Sequence, residues 1–312
     1  MIPQKMNLSN TSETSILLAE AIIYVPVFFI GVILNVFALK VFCCKLSQWT
    51  ETRVYMTNLA ITDCLFLFTL PFKLVSNFIY KYKMHTSIYT KKLCMVLETA
   101  YFINRYMSIF LITIIALDRY IAIKYPLQAK NIRSPLKSAL VCGLLWIIII
   151  SIVLVSRNIN NEVNNICFQT IYRIPSVPSF AVVIWGFFIP LIILSFCSVQ
   201  IIKKLTRKKK IHLHEKKVIQ KAINIILANM TTFITCFLPL HVAYFIKFID
   251  FKTAIDTNLK HNLFLNVTII LANTNCCLDA FCYYFVSQEF QEASIVQKTQ
   301  NQAPENQGTE II

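Results

Sequence analysis

The residues of this chain that can do chemistry are ionisable side chains set inside apolar runs: Asp63, Lys73, Glu98, Arg105, Asp118, Arg119 and Asp279. A charge at the centre of a bilayer costs about 2.5–3.5 kcal/mol on insertion scales. Each such group must therefore face a protein interior or a wet cavity, and intramembrane charges are functional by default. Glu98, Tyr101 and Arg105 follow i, i+3, i+7 spacing, which puts them on one helix face. Lys73 lies just past Pro71-Phe72 on a neighbouring run. Two cations beside one anion suit capture of a carboxylate or phosphate, with Arg as a planar fork and Lys as a point charge. A structural Arg105–Glu98 pair is the alternative use of the same residues. Arg105 and Arg119 are 14 residues apart, about 21 Å along a helix and close to four turns, so they are nearly in phase.

The elements that carry these groups are long and greasy. Of 312 residues, 56% are hydrophobic and 14% charged; soluble domains average about 25% charged. Runs 21–39, 138–156, 174–202 and 222–246 hold no Asp, Glu, Lys or Arg, and runs 54–72, 93–123 and 262–286 hold only a few. Each is long enough to cross hydrocarbon, which takes about 20 helical residues. The expected fold is an all-α membrane protein, a seven-helix bundle spanning 16–286. An N-terminal segment 1–15 precedes it and a tail 287–312 follows. The runs show no internal repeat, which argues against a transporter. With no GxGxxG, Walker loop, CxxC pair or HExxH, the usual motif signals of a soluble enzyme are missing, and neither catalytic residues nor enzyme activity is expected.

Charge sets the expected orientation. The links read as inner carry 16 Lys and Arg, nine of them between 203 and 221, against 10 in the outer segments. This satisfies the positive-inside rule with the N-terminus outside and the C-terminus in the cytoplasm. The net charge of +15 is accounted for by anionic lipid and a cytoplasmic partner, not by nucleic acid. The first 15 residues lack a basic n-region and cleavage site, so no cleaved signal peptide is expected. Asn7 and Asn10 head glycosylation sequons there, while sequons at Asn229 and Asn266 fall inside spans. The outer cations, including Arg157 and Arg173 as candidates at the ligand entrance, outnumber the loop carboxylates Glu13, Glu20, Glu162, Asp250 and Asp256, an excess that would concentrate an anionic ligand. Of 11 cysteines, only Cys94 and Cys167 reach oxidising space, which predicts one disulfide across the mouth of the bundle.

Motifs occur in order, one set per span. They are Gly31…Asn35, Asn58-Leu-Ala-Ile-Thr-Asp63, Asp118-Arg119-Tyr120 with Tyr125-Pro126-Leu127, Trp146, Phe187-Phe-Ile-Pro190, Cys236-Phe237-Leu-Pro239, and Asp279-Ala280-Phe-Cys-Tyr283 followed by Phe290. Together they resemble the rhodopsin-like (class A) G-protein-coupled receptors over residues 16–292. Within them, Asn104-Arg-Tyr-Met-Ser108 is similar to the kynurenic-acid-responsive orphan receptor. Leu70-Pro-Phe-Lys73 and Asn275-Cys-Cys-Leu-Asp279 are similar to the lysophosphatidylinositol receptor. Phe237 stands where the family has tryptophan, Ala280 where it has proline, and Asp279 where it has asparagine.

The resemblance implies a short amphipathic eighth helix after the bundle and a plasma-membrane location. It implies a switch at Phe237, Pro239, Asp279 and Tyr283. It also implies an inner face at Asp118, Arg119 and Tyr120, where Asp118 holds Arg119 until a G protein of the Gi or the Rho-activating class engages; arrestin is a further expected partner. It gathers Asp63, Ser108, Asn275 and Asp279 round an allosteric sodium ion, with a shared proton as the alternative; no other cofactor is expected. The expected ligand is a lysophospholipid or small aromatic carboxylic acid bridging Lys73 and Arg105 beside Glu98 and Tyr101. The competing functions are a seven-span organic-anion transporter and a non-signalling receptor.

Overall fold

The structure, a computed structural model, describes residues 2–45, 48–81, 88–159, 168, 177–207, 213–253 and 259–286. In chain order these form α1 (Ile2–Lys40), a π-helical turn (Val41–Lys45), α2 (Glu51–Lys81), α3 (Ile88–Lys124), α4 (Pro126–Ile132), α5 (Pro135–Ile159), α6 (Val177–Thr206), α7 (Leu213–Thr253), α8 (Leu259–Asn273) and α9 (Asn275–Val286). Seven stretches are long and apolar enough to cross a membrane: Leu18–Cys44, Glu51–Asn77, Lys92–Lys124, Pro135–Ser156, Val183–Thr206, Ile226–Thr253 and His261–Phe281. They match the seven apolar runs. Of the segment 1–15, expected as a separate terminus, residues 2–15 are continuous with the rest of α1; Asn7 and Asn10 lie on that extension, their side chains outside the described residues. The expected eighth helix also lies outside them.

The bundle is built round α3, which packs against α2, α5, α6 and α7. Met107, Ile109 and Leu111 of α3 are wholly buried with Phe187, Phe233 and Leu240 from α6 and α7. Large apolar side chains on the outside, such as Ile33, Leu144, Ile147, Trp185 and Ile192, are exposed. That is the pattern of a bundle whose outer face meets lipid rather than water. Close approach needs small residues: a Cβ on Gly31 would stand 2.7 Å from Leu67 Cδ2, so α1 meets α2 where the side chain is absent. Polar pins cross the core as well, since Trp146 Nε1 donates to Asn58 Oδ1 at 3.2 Å and joins α5 to α2.

The last span departs from expectation. Run 262–286 reads as one helix, yet it breaks at Thr274 into α8 and α9. No proline is present there. Instead Thr274 Oγ1 donates to the Leu271 carbonyl at 2.7 Å, and the Thr274 N–H bonds the same carbonyl three residues back. A hydroxyl that competes for the backbone in this way loosens a helix, and amides at Asn273 and Asn275 flank it.

Candidate functional site

The half of the bundle towards the start of α1 holds a chain of hydrogen bonds that joins the two cations Lys73 and Arg105. Arg105 donates from Nη2 to the Tyr101 hydroxyl and from Nη1 to the Tyr244 hydroxyl, each at 2.8 Å. Tyr101 donates to Asn273 Oδ1 at 2.9 Å, and Asn273 Nδ2 donates to the Tyr24 hydroxyl at 2.7 Å. Lys73 Nζ donates to that same hydroxyl at 2.9 Å. α1, α2, α3, α7 and α8 thus each contribute a member. All but Tyr244 are buried, with Arg105 6% and Lys73 4% exposed. Lys73 Nζ and Arg105 Cζ lie 5.6 and 5.1 Å from the centre of the Tyr101 ring, so they are no more than about 11 Å apart.

The cations differ in their partners. Lys73 forms an ion pair with Glu20 at 3.4 Å, and Asn77 donates to the other oxygen of the same carboxylate. Arg105 has two phenols and, among the described residues, no carboxylate. Glu98 is buried on the same α3 face and has contacts of its own; the Arg105 bonds run to Tyr101 and Tyr244, so the alternative Arg105–Glu98 pair is not how Arg105 is held. Two outer carboxylates expected in loops are buried instead. Glu20 is 5% exposed, and Asp250 is 6% exposed with His261 Nδ1 2.6 Å from Oδ2. The outer excess of cations is correspondingly larger than the loop count suggests. Arg157 lies in α5 with its side chain outside the described residues, and Arg173 lies outside them altogether. Cys94 is disulfide-bonded, and Cys167 lies outside the described residues. The next residue, Phe168, is described. Its φ of 58° is left-handed, a conformation a bulky residue adopts only at a cost. It is 7% exposed, and its ring meets Tyr101 edge-on with centroids 5.7 Å apart.

Below this chain lies a small cavity with room for about one water, lined by Tyr101, Asn104, Arg105, Phe237, Asn273 and Asn275 among others. Beneath it, Asp63 is fully buried and accepts from Asn104 at 3.3 Å. Asn275 Nδ2 donates to Asp279 Oδ2 at 2.7 Å. Four buried oxygens here have no hydrogen-bond partner among the described residues: Asp63 Oδ2, Ser108 Oγ, Asn275 Oδ1 and Asn35 Oδ1. Orphaned buried oxygens are costly, and an all-oxygen set of this kind suits a hard cation. Beside it Phe237 meets Phe233 edge-on at 5.5 Å, and Phe187 stacks on His241 at 4.0 Å. His241 Nδ1 is 2.7 Å from the Phe237 carbonyl, one turn back and next to Pro239. The Tyr283 side chain lies outside the described residues.

Towards the other end of α3, the expected partner of Asp118 is Arg119. The structure gives its oxygens to Arg133, with Nε at 2.7 Å and Nη2 at 2.8 Å, and to Thr52 at 3.4 Å. Arg133 also reaches Glu51 at 3.3 Å. The link after α3 folds as α4, with Pro126 at its start and Arg133 as its C-cap, and this carries the guanidinium back to α3. The Asp118 hydrogen bonds hold the Arg133 pKa above its ordinary value, so it stays charged. Arg119 is half-buried with contacts of its own, and Tyr120 receives a hydrogen bond from Lys124 at 2.9 Å. Arg133→Ala strips a charged fork from a buried carboxylate and is expected to cost about 2 kcal/mol. A thermal melt of the purified protein checks it, and an unchanged midpoint would show the pair to be incidental.

Comparison with known proteins adds sequence relationship to this geometry. Residues 34–283 match the family described as "7 transmembrane receptor (rhodopsin family)". The chain is 38% identical to G-protein coupled receptor 35 of Mus musculus over 91% of its own length and 90% of the relative's. It is 32% identical to G-protein coupled receptor 55 of Mus musculus over 86% of each. It is 33% identical to lysophosphatidic acid receptor 4 of Homo sapiens over 87% of its length and 75% of the relative's.

Proposed function

Because the chain belongs to the rhodopsin family of seven-transmembrane receptors, a multi-pass class of the plasma membrane that couples to G proteins and lacks enzyme activity, we propose that it answers to an extracellular anionic ligand. The ligand is a lysophospholipid or a small aromatic carboxylic acid. The observation that carries this reading is Arg105: a buried guanidinium satisfied by two neutral phenols and, among the described residues, by no carboxylate. Phenols accept its N–H groups but leave its charge uncompensated, and a carboxylate or phosphate supplies what is missing. Arg157 and Arg173 guide the ligand in, and Tyr101 and Glu98 line its seat. The relatives' names agree in part, since one is a receptor for a lysophosphatidic acid. The N-terminus lies outside, glycosylated at Asn7 and Asn10, and a Cys94–Cys167 disulfide ties the second outer loop over the seat.

Binding shifts a two-state bundle. The aromatic cluster at Phe237, and Pro239, which lacks a backbone N–H for the helix ladder, let the inner part of α7 swing, with Asp279 and Tyr283 on α9 following. The inner face at Asp118, Arg119 and Tyr120 then receives a G protein of the Gi or Rho-activating class, and arrestin after it. Guanine-nucleotide exchange on a panel of G proteins, driven by a library of lysolipids and organic acids, tests the reading. Ligand flux without exchange would favour a transporter, and binding without exchange a non-signalling receptor.

Asp63, Ser108, Asn275 and Asp279 would hold a sodium ion, which supplies the positive charge that the orphaned oxygens lack. Sodium favours the resting bundle in this reading, so agonist affinity is expected to fall several-fold as NaCl replaces choline chloride, and Asp63→Asn is expected to abolish the dependence. Equal affinities in the two salts would favour a proton shared between the two acids.

A further inference from the structure

Lys73 and Asn77 stand one turn apart on α2, on the same face, and both address one carboxylate. Lys73 Nζ is 3.4 Å from Glu20 Oε1, and Asn77 Nδ2 donates to Glu20 Oε2. Tyr24, one turn below Glu20 on α1, accepts from Lys73 at 2.9 Å and holds the ammonium in place. All four side chains are buried. An ammonium and an amide N–H converging on two oxygens of one anion make a built anion seat, and the chain's own carboxylate fills it.

We propose that Glu20 regulates the Lys73 end of the ligand site, where the sequence already places a ligand contact: the carboxylate is a resident competitor that only the second anionic group of a doubly charged ligand displaces. The proposal rests on the reading that the first anionic group goes to Arg105. With Glu20 in place, a monoanion finds one cation that lacks a carboxylate, Arg105, and leaves the pair at Lys73 intact. A phosphate monoester or dicarboxylate whose groups reach both cations, no more than about 11 Å apart, must expel Glu20. Glu20 precedes Ala21–Leu39, the uncharged stretch of α1, so its carboxylate lies at the polar end of that stretch rather than in its middle. Glu20 therefore sets the charge preference of the receptor. It lets monoanions in without penalty and makes dianions compete with an intramolecular carboxylate at high effective concentration.

Inorganic phosphate is the probe that tests the seat without a known agonist. The purified full-length receptor is melted in phosphate and in chloride at matched ionic strength and pH 8, where phosphate is mostly dianionic. The wild type is expected to melt alike in both. Glu20→Gln, which keeps the side-chain shape but removes the competing charge, is expected to gain about 3–5 °C from phosphate. Glu20→Gln with Lys73→Met is expected to lose that gain. Glu20→Asp keeps a negative charge near Lys73 but shortens its reach by one methylene, so it weakens the competing pair without removing it and is expected to gain an intermediate amount; it carries the test if Glu20→Gln does not fold. The proposal is overturned if both Glu20 variants respond to phosphate as the wild type does, or if the double variant keeps the gain. These outcomes are independent of Arg105, whose variants decide whether an anion is recognised at all.

Discussion

Arg105→Met is expected to weaken an anionic agonist by about 30- to 150-fold, the effect of roughly 2–3 kcal/mol for truncating one partner of a desolvated charged contact. Methionine fills much of the same volume but offers neither charge nor donors. Tyr101 and Tyr244 then lose the guanidinium that now bridges α3 and α7. Arg105→Lys keeps the charge but cannot fork between two phenols, so it is expected to recover only part of the loss. Agonist-driven nucleotide exchange at matched surface expression measures both. If Arg105→Met answers its best acidic agonist like the wild type, the ligand's acid does not meet α3.

Lys73→Met carries the second large effect, and it needs no ligand. Removing the ammonium strands the buried Glu20 carboxylate, and breaking a buried pair from one side costs about 3–5 kcal/mol. For a bundle of this size that lowers the melting midpoint by roughly 10 °C. Taking out both partners, as Glu20→Leu with Lys73→Met, is expected to restore most of it, because a buried pair replaced by apolar groups is close to neutral. A single variant as stable as the wild type would mean that Glu20 simply moves to water. An equally unstable double variant would mean that packing, not charge, sets the cost.

Much of this was legible in the chain. The seven spans follow from uncharged runs of sufficient length, and Tyr101 with Arg105 follows from phase along one helix. What remained hidden is non-local. Tyr24, Tyr244 and Asn273 sit in apolar runs with nothing to mark them, and they become partners only when α1, α7 and α8 close round α3. Glu20 read as a loop charge because it lies at the edge of an uncharged run, yet α1 begins well before it and carries it into the bundle. Adjacency misled at Asp118 and Arg119. Neighbours i and i+1 on a helix point apart, so the carboxylate took the guanidinium that α4 delivers from 15 residues on. The break at Thr274 was missed because it uses neither proline nor glycine, only a threonine hydroxyl turned on its own backbone.

That break has a mechanical meaning. Asn273, the last residue of α8, is a link in the chain between Lys73 and Arg105, while Asn275, the first residue of α9, grips Asp279. Two amides on either side of one loosened joint thus belong to different circuits, one joined to Tyr24 and Tyr101 and the other to Asp279. Asn35 Nδ2, bound to the Cys276 carbonyl at 3.0 Å, clamps the start of α9 to α1. A displacement of Asn273 is therefore expected to reach Asn275 and Asp279 through Thr274, the residue that joins α8 to α9.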